Sequence, residues 1–195
     1  MKKYLLLFNV LITTICFCGC SKEDDSNEDD SNNVILPINQ TDGALVAFLN
    51  AELPEMHHSD DIYRTSKSFF CEDKSGIKSA IKENIVCVIN SRQELADIYM
   101  GEKELPEIDF DKNTLIIGQQ IMPCLGFYVA KKDLLARDDS LILTLYAKND
   151  CYKLDQALQN LYYWELYPKL LQKTLSVNVI VEYTNRLDIQ QLIID

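Results

Sequence analysis

The sequence predicts an α+β domain organised around a mainly antiparallel β-sheet, a sandwich or partly open barrel carrying one or two short packed helices. Three observations point there. Strand-forming runs dominate the second half of the chain, neighbouring runs lie close enough to pair as hairpins, and the helix opened by Ser91 has full cap chemistry.

The domain opens at Val34-Ile35-Leu36-Pro37, a short apolar stretch where the chain settles onto the fold. Thr41-Asp42 offers an N-cap for a helix over Gly43 to Glu52, with Leu45, Val46, Phe48 and Leu49 along one face, and Pro54 stops it. Glu55 to Lys74 is polar and irregular apart from Ser68-Phe69-Phe70-Cys71. Gly76 to Glu83 reads as a short helix through Ile77, Ala80 and Ile81.

Ile85-Val86-Cys87-Val88-Ile89 is continuously apolar and mostly β-branched, the composition of a buried strand. Ser91-Arg92-Gln93-Glu94 is a capping box for a helix that buries Leu95, Ile98 and Tyr99 and ends near Gly101. Leu105 to Asp111 reads as extended, leading into a strand over Thr114 to Gln119. Gly126 to Ala130 and Leu141 to Ala147 read as a strand pair connected across Lys131–Ser140.

Leu154 to Tyr167 carries two signals: Leu154, Ala157, Leu158, Leu161 and Tyr162 have helical spacing, but Tyr162 to Tyr167 is dense in strand formers. The strand reading over 159–167, ended by Pro168, is preferred. Val177 to Tyr183 is a clear strand with Asn178 and Glu182 outward, and the stretch ending Leu192-Ile193-Ile194-Asp195 is a tail or edge strand. The expected core contains Trp164, Leu95, Phe110, Ile117, Leu143 and Val179.

Ahead of the domain lies the most informative stretch for location. Met1-Lys2-Lys3 and the apolar run from Tyr4 to Phe17 have the form of a secretory signal, too short for a comfortable membrane span. Phe17-Cys18-Gly19-Cys20 then resembles a bacterial lipobox, with Phe17 and Cys18 departing from the usual Leu and Ala or Ser. The resemblance implies removal of residues 1–19 and acylation of Cys20 as the first residue of the mature chain. Residues 20–33 follow as an acidic tether with no apolar side chain after Cys20, unable to bury enough surface to offset ordering entropy. Within it, Ser21-Lys22-Glu23-Asp24-Asp25 looks like the surface-export signal of Bacteroidota lipoproteins.

The full chain of 195 residues has formal charge −11. Loss of Lys2 and Lys3 with the signal makes this −13; Lys22 against six acids gives the tether −5, leaving −8 on residues 34–195. That stretch is one globular domain large enough for a real core. Net acidity without a basic stripe argues against nucleic acid and against adsorption to anionic membrane. Attachment through lipid is the expectation. Cys71, Cys87, Cys124 and Cys151 remain after processing, in a compartment where disulfides persist. Sequence leaves their pairing open, although a hairpin centred near 135–137 would bring Cys124 close to Cys151.

Candidate chemistry is sparse. His57-His58-Ser59-Asp60-Asp61 holds both histidines beside two carboxylates, but adjacent imidazoles reach one ion only through a strained turn, so a solvated loop is expected and no metal. Asp109 and Asp111 flank Phe110 as paired carboxylates, a pattern more typical of turn residues than of glycoside chemistry. There is no Gly-x-Ser-x-Gly and no glycine-rich phosphate loop, so neither a cofactor nor a catalytic residue is expected. Tyr162, Trp164 and Tyr167, with Tyr163 among them, are expected to be core and cross-strand packing, with a sugar-stacking platform as the alternative.

Ile89-Asn90-Ser91 with Glu94-Leu95, then Leu105 to Phe110 and Thr114 to Gly118, resembles a family of uncharacterised Bacteroidota lipoproteins. More remotely, with Gly126-Phe127-Tyr128 and Pro168-Lys169, the stretch 85–183 is similar to the PrcB-type domain of protease-complex accessory lipoproteins. The resemblance implies an accessory protein that serves an envelope protein partner, and it brings no catalytic residue. With the lipobox, the export signal and the sparse catalytic chemistry, the expectation is a non-enzymatic outer-membrane lipoprotein facing the cell exterior. The alternative is a surface glycan-binding or hydrolytic module using Trp164 with Asp109 and Asp111.

Overall fold

A computed structural model describes residues 33–38, 43–56, 66–74, 77–137, 139–149, 157–171 and 174–183, all within one compact unit, Asn32–Asp195. In chain order the elements are β1 (Asn33–Ile35), α1 (Gly43–Glu52), β2 (Cys71–Lys74), β3 (Ile77–Ala80), β4 (Ile85–Ile89), α2 (Arg92–Ile98), β5 (Asn113–Met122), β6 (Phe127–Arg137), β7 (Ser140–Asn149), β8 (Gln159–Pro168) and β9 (Thr174–Tyr183). They form a four-stranded sheet ordered β1-β6-β7-β9, a three-stranded sheet ordered β4-β5-β8 and the small hairpin β2-β3. The fold is α+β and mainly antiparallel, with two principal sheets and no closed barrel among the described residues.

The architecture has three layers. One core lies between the two large sheets and contains Ile116, Phe127, Leu134, Leu143, Leu145, Leu161 and Tyr163. The second lies on the other face of β4-β5-β8, where Leu115, Ile117, Tyr162, Trp164 and Leu166 meet Leu45, Phe48 and Leu49 of α1, Leu95 of α2, and Phe69. The three-stranded sheet is therefore covered on both faces. This explains why its strands read as continuous apolar runs: residues of both parities need an apolar side chain. Thr114, Gly118 and Gln119 depart from this on β5, and at Gly118 the Tyr163 ring occupies the space a Cβ would take.

The strand reading of 159–167 holds, since β8 pairs with β5 along Asn113↔Pro168 through Met122↔Gln159. Cross-strand pairing here outweighs the helical spacing of Leu154 to Tyr162. The capping box at α2 is also present, with one variation. Ser91 Oγ accepts the Glu94 N–H at 3.1 Å, while the Glu94 carboxylate accepts the Asn90 N–H at 2.6 Å, one residue ahead of the cap.

Four expectations are corrected. The helix expected over Gly76 to Glu83 is absent from its described part, 77–83; Ile77–Ala80 is β3, and the pairing with β2 is prolonged by Ile81 N–H on Phe70 O at 2.8 Å. A pattern of little more than two turns cannot offset helix nucleation when strand partners are at hand. The β6–β7 hairpin is longer than expected and turns between Arg137 and Ser140, with a β-bulge between Val129 and Lys131. The bulge breaks the alternation, so Phe127 and Val129 face the core before it, and Lys132 and Leu134 after it. β9 starts at Thr174 and runs parallel to β7, because the intervening β8 belongs to the other sheet and reverses the chain direction once more. Finally, Phe110 in its turn and Val179 on an edge strand are only half-buried, unlike Trp164, Leu95, Ile117 and Leu143.

Candidate functional site

The densest polar chemistry gathers around Glu52–Met56, where α1 ends and the chain passes between the two cores. Pro54 stops the helix, and Leu53, Pro54, Glu55 and Met56 are all buried. Two carboxylates are carried inward with them, and each is met by a lysine from a different element.

Glu52 faces the helical side. Its carboxylate accepts a short hydrogen bond from Ser68 Oγ and an ion pair from Lys103 Nζ at 2.8 Å. Its backbone carbonyl accepts from Ser66 Oγ at 2.6 Å, and Ser66 Oγ in turn accepts the Phe69 N–H at 2.9 Å. Burial pushes the Glu52 carboxyl up, but the bonds from Lys103 and Ser68 outweigh it and hold the group below the usual carboxylate range. A carboxylate so stabilised is a weak base toward Ser68, and both of its oxygens are engaged. The arrangement latches the 66–70 segment and the Lys103 loop to the end of α1.

Glu55 faces the space between the sheets. Lys132 Nζ lies 2.7 Å from Glu55 Oε1 and 3.2 Å from Glu165 Oε2, and donates to Trp164 O at 2.8 Å. The side chains are 14% exposed for Lys132, 5% for Glu55 and 22% for Glu165, far enough from water that removing one partner strands the others. The bulge at Val129–Lys131 makes this possible by changing which residues of β6 face inward. Tyr167 lies in the same region. Burial raises its phenol above the ordinary range, and Glu165, Asp133 and Glu55 push it further the same way.

On the helical face of the central sheet, Gln119 Oε1 and Trp164 Nε1 are buried and find no hydrogen-bond partner among the described residues. Gln119 spends its amide N–H groups on Ile81 O at 2.6 Å and Glu83 O at 2.9 Å, tying β5 to the turn before β4.

The residues singled out from sequence are placed as follows. Cys20 and Ser21, Lys22, Glu23, Asp24 and Asp25 lie outside the described residues, as do His57, His58, Asp60, Asp61, Cys151 and the tail after Tyr183. Tyr162, Trp164 and Tyr167 are buried, and they do not form one platform: Tyr162 and Trp164 face the helical core, and Tyr167 faces the core between the sheets. Alternation along the strand divides them between its two faces. Asp109 is a turn residue. It pairs with Lys112 at 2.8 Å, its carbonyl accepts the Asn113 N–H at 2.9 Å, and the Lys112 ammonium holds its carboxyl below the usual range. No disulfide joins Cys71, Cys87 and Cys124 to one another. Among the described residues no group of three His, Cys, Asp or Glu side chains is placed to hold a metal ion, and no helix is long and apolar enough to cross a membrane.

Sequence reading missed both lysine–glutamate clusters. Glu52 and Glu55 look like ordinary surface acids around a proline, and nothing local marks them as buried. Lys132 was hidden by the bulge. A signal did exist in Lys131-Lys132 interrupting an otherwise apolar strand that resumes at Leu134-Leu135, since an interruption without Gly or Pro is a poor loop.

Comparison of the chain with protein-family models, with curated proteins and with solved structures finds no match in any of the three.

Proposed function

We propose that this chain is a lipid-anchored outer-membrane lipoprotein, displayed toward the cell exterior, whose acidic domain is a non-enzymatic accessory or binding protein for an envelope partner. The observation that carries the reading is the stretch Phe17 to Asp25, where a signal-like segment, a small residue before Cys20 and a Lys-acidic run stand in immediate succession. The resemblance of 85–183 to protease-complex accessory domains supplies the partner class, an envelope protease or its assembly. The domain geometry is compatible, because its buried carboxylates are spent on lysines that hold elements together.

The test joins labelling to capture. Palmitate should label the wild-type chain and not Cys20→Ala, and external protease should remove the wild-type domain from intact cells. Replacing Lys22 to Asp25 with Ala should abolish surface exposure while labelling persists. Crosslinking on intact cells followed by mass spectrometry should recover one dominant envelope protein. Labelling that survives Cys20→Ala would overturn the anchor, and recovery of no protein would overturn the accessory role.

A further inference from the structure

The edges of the sheets are not treated alike. β6 is covered by β1 only from Leu134 to Ala136, and its remaining edge carries the bulge, Lys131 and Lys132, features that discourage another strand from pairing. On β8, Leu166 O accepts the Ile38 N–H at 2.8 Å and Trp164 O accepts from Lys132. β9 has no such guard. Among the described residues it is an outer strand of the four-stranded sheet, ten residues long, in unbroken register with β7 from Ser140↔Thr174 to Asn149↔Tyr183. It contains neither Pro nor Lys. Its inward residues Leu175, Val177 and Val179 are only half-buried, and Ile180 and Val181 are 49% and 41% exposed.

Charge singles out the same strand. Residues 34–195 carry −8, so most surfaces of two copies repel, yet β9 has one charged residue, Glu182, and it is paired with Lys148 at 3.0 Å. The strand is also self-complementary. In an antiparallel pair, directly opposed residues share a face. Centred on Asn178, Val177 opposes Val179 and Leu175 opposes Val181 on the inward face, while Glu182 meets Thr174, so no like charges meet.

We propose that two copies of this chain associate through β9, antiparallel about a two-fold axis at Asn178, merging their four-stranded sheets into one continuous sheet. The inward apolar row of each copy is then covered by that of the other, and the interface is isologous, as closed symmetry requires.

The experiment uses the full chain, purified in detergent micelles, with mass measured by light scattering at micromolar concentration and corrected for bound detergent. A dimer is expected. Asn178 is exposed on the outer face, so Asn178→Lys should keep the circular dichroism and melting temperature of the wild type. It opposes like charges at the axis and should weaken the dimer by roughly fivefold, an effect that added salt reduces. Asn178→Cys should crosslink to itself under mild oxidation, identified by mass spectrometry as a 178–178 peptide, because opposed Cβ atoms lie within about 5 Å. A monomeric full chain overturns the proposal, whether the β9 edge is then taken by residues 184–195 or by another protein. A dimer that forms no 178–178 crosslink and is unaffected by Asn178→Lys overturns it equally.

Discussion

β5 and β7 are both ten residues long and both lie inside their sheets, yet their sequences follow different rules. β7 alternates strictly between half-buried and buried positions, with Leu141, Leu143, Leu145 and Ala147 inward. β5 is buried without interruption from Thr114 to Gln119. The difference lies in what covers each sheet. The four-stranded sheet has one face on the core and one on solvent, whereas the three-stranded sheet is packed by the other sheet on one side and by α1 and α2 on the other. Apolar continuity in a strand thus reports the number of layers around it, and alternation reports a free face.

Three measurements break or sharpen that comparison. The largest effect is expected from Trp164→Ala in the doubly covered sheet, which removes a buried ring and should destabilise the fold by about 3–5 kcal/mol in urea unfolding. Ile180→Ala on the free face of the other sheet should stay within about 0.5 kcal/mol. Comparable losses at the two sites would refute the three-layer picture. Trp164 fluorescence offers an independent reading, blue-shifted in the native protein and water-like only after unfolding.

The next contrast is between adjacent lysines on the two sides of β6. Lys132→Ala leaves Glu55 and Glu165 facing each other in a largely dry site and should cost about 3 kcal/mol, the low end for breaking a buried pair because Lys132 keeps some exposure. Lys131→Ala loses a solvent-screened pair with Asp133 and the contact of its ammonium with the Tyr146 ring, and should cost far less than Lys132→Ala. Equal effects would mean that the bulge does not decide which lysine is inward.

The smallest effect is acid sensitivity on the helical side. The Glu52 carboxyl is held below its ordinary value of 4.5, so its contribution is complete above that pH and is lost as pH falls through the folded-state value. The wild type should therefore lose stability more steeply below about pH 4.5 than Glu52→Gln, and the two should converge at the acid end. Parallel curves would show that the Glu52 latch does not titrate with folding.

How far the sequence could be read follows from the same physics. The α+β class, the α2 cap, β5 and β8 were legible because each is specified locally, by cap chemistry or by a long strand-forming run closed at Pro168. β3 was not, since Ile77, Ala80 and Ile81 fit a helix as well as a strand until β2 is known to lie beside them. The parallel course of β9 depends on which sheet β8 joins, and no residue of β9 encodes that. The buried clusters at Glu52 and Lys132 required two distant segments to meet, and a charged side chain gives no local sign of being paired.

The bulge in β6 also has a consequence for chain length. Val129 stays opposite Ala147 and Lys131 opposite Tyr146 whether or not a residue stands between them, so Ala130 is a supernumerary link in the ladder. Its deletion would leave every cross-strand partner of β6 unchanged. Removal of any one residue from Asp133 to Ala136 would instead slide the strand against β7 and exchange the inner and outer faces on one side of the cut. Tolerance of deletion along this strand is therefore concentrated at one position, and a library of single-residue deletions should find β6 brittle everywhere except there.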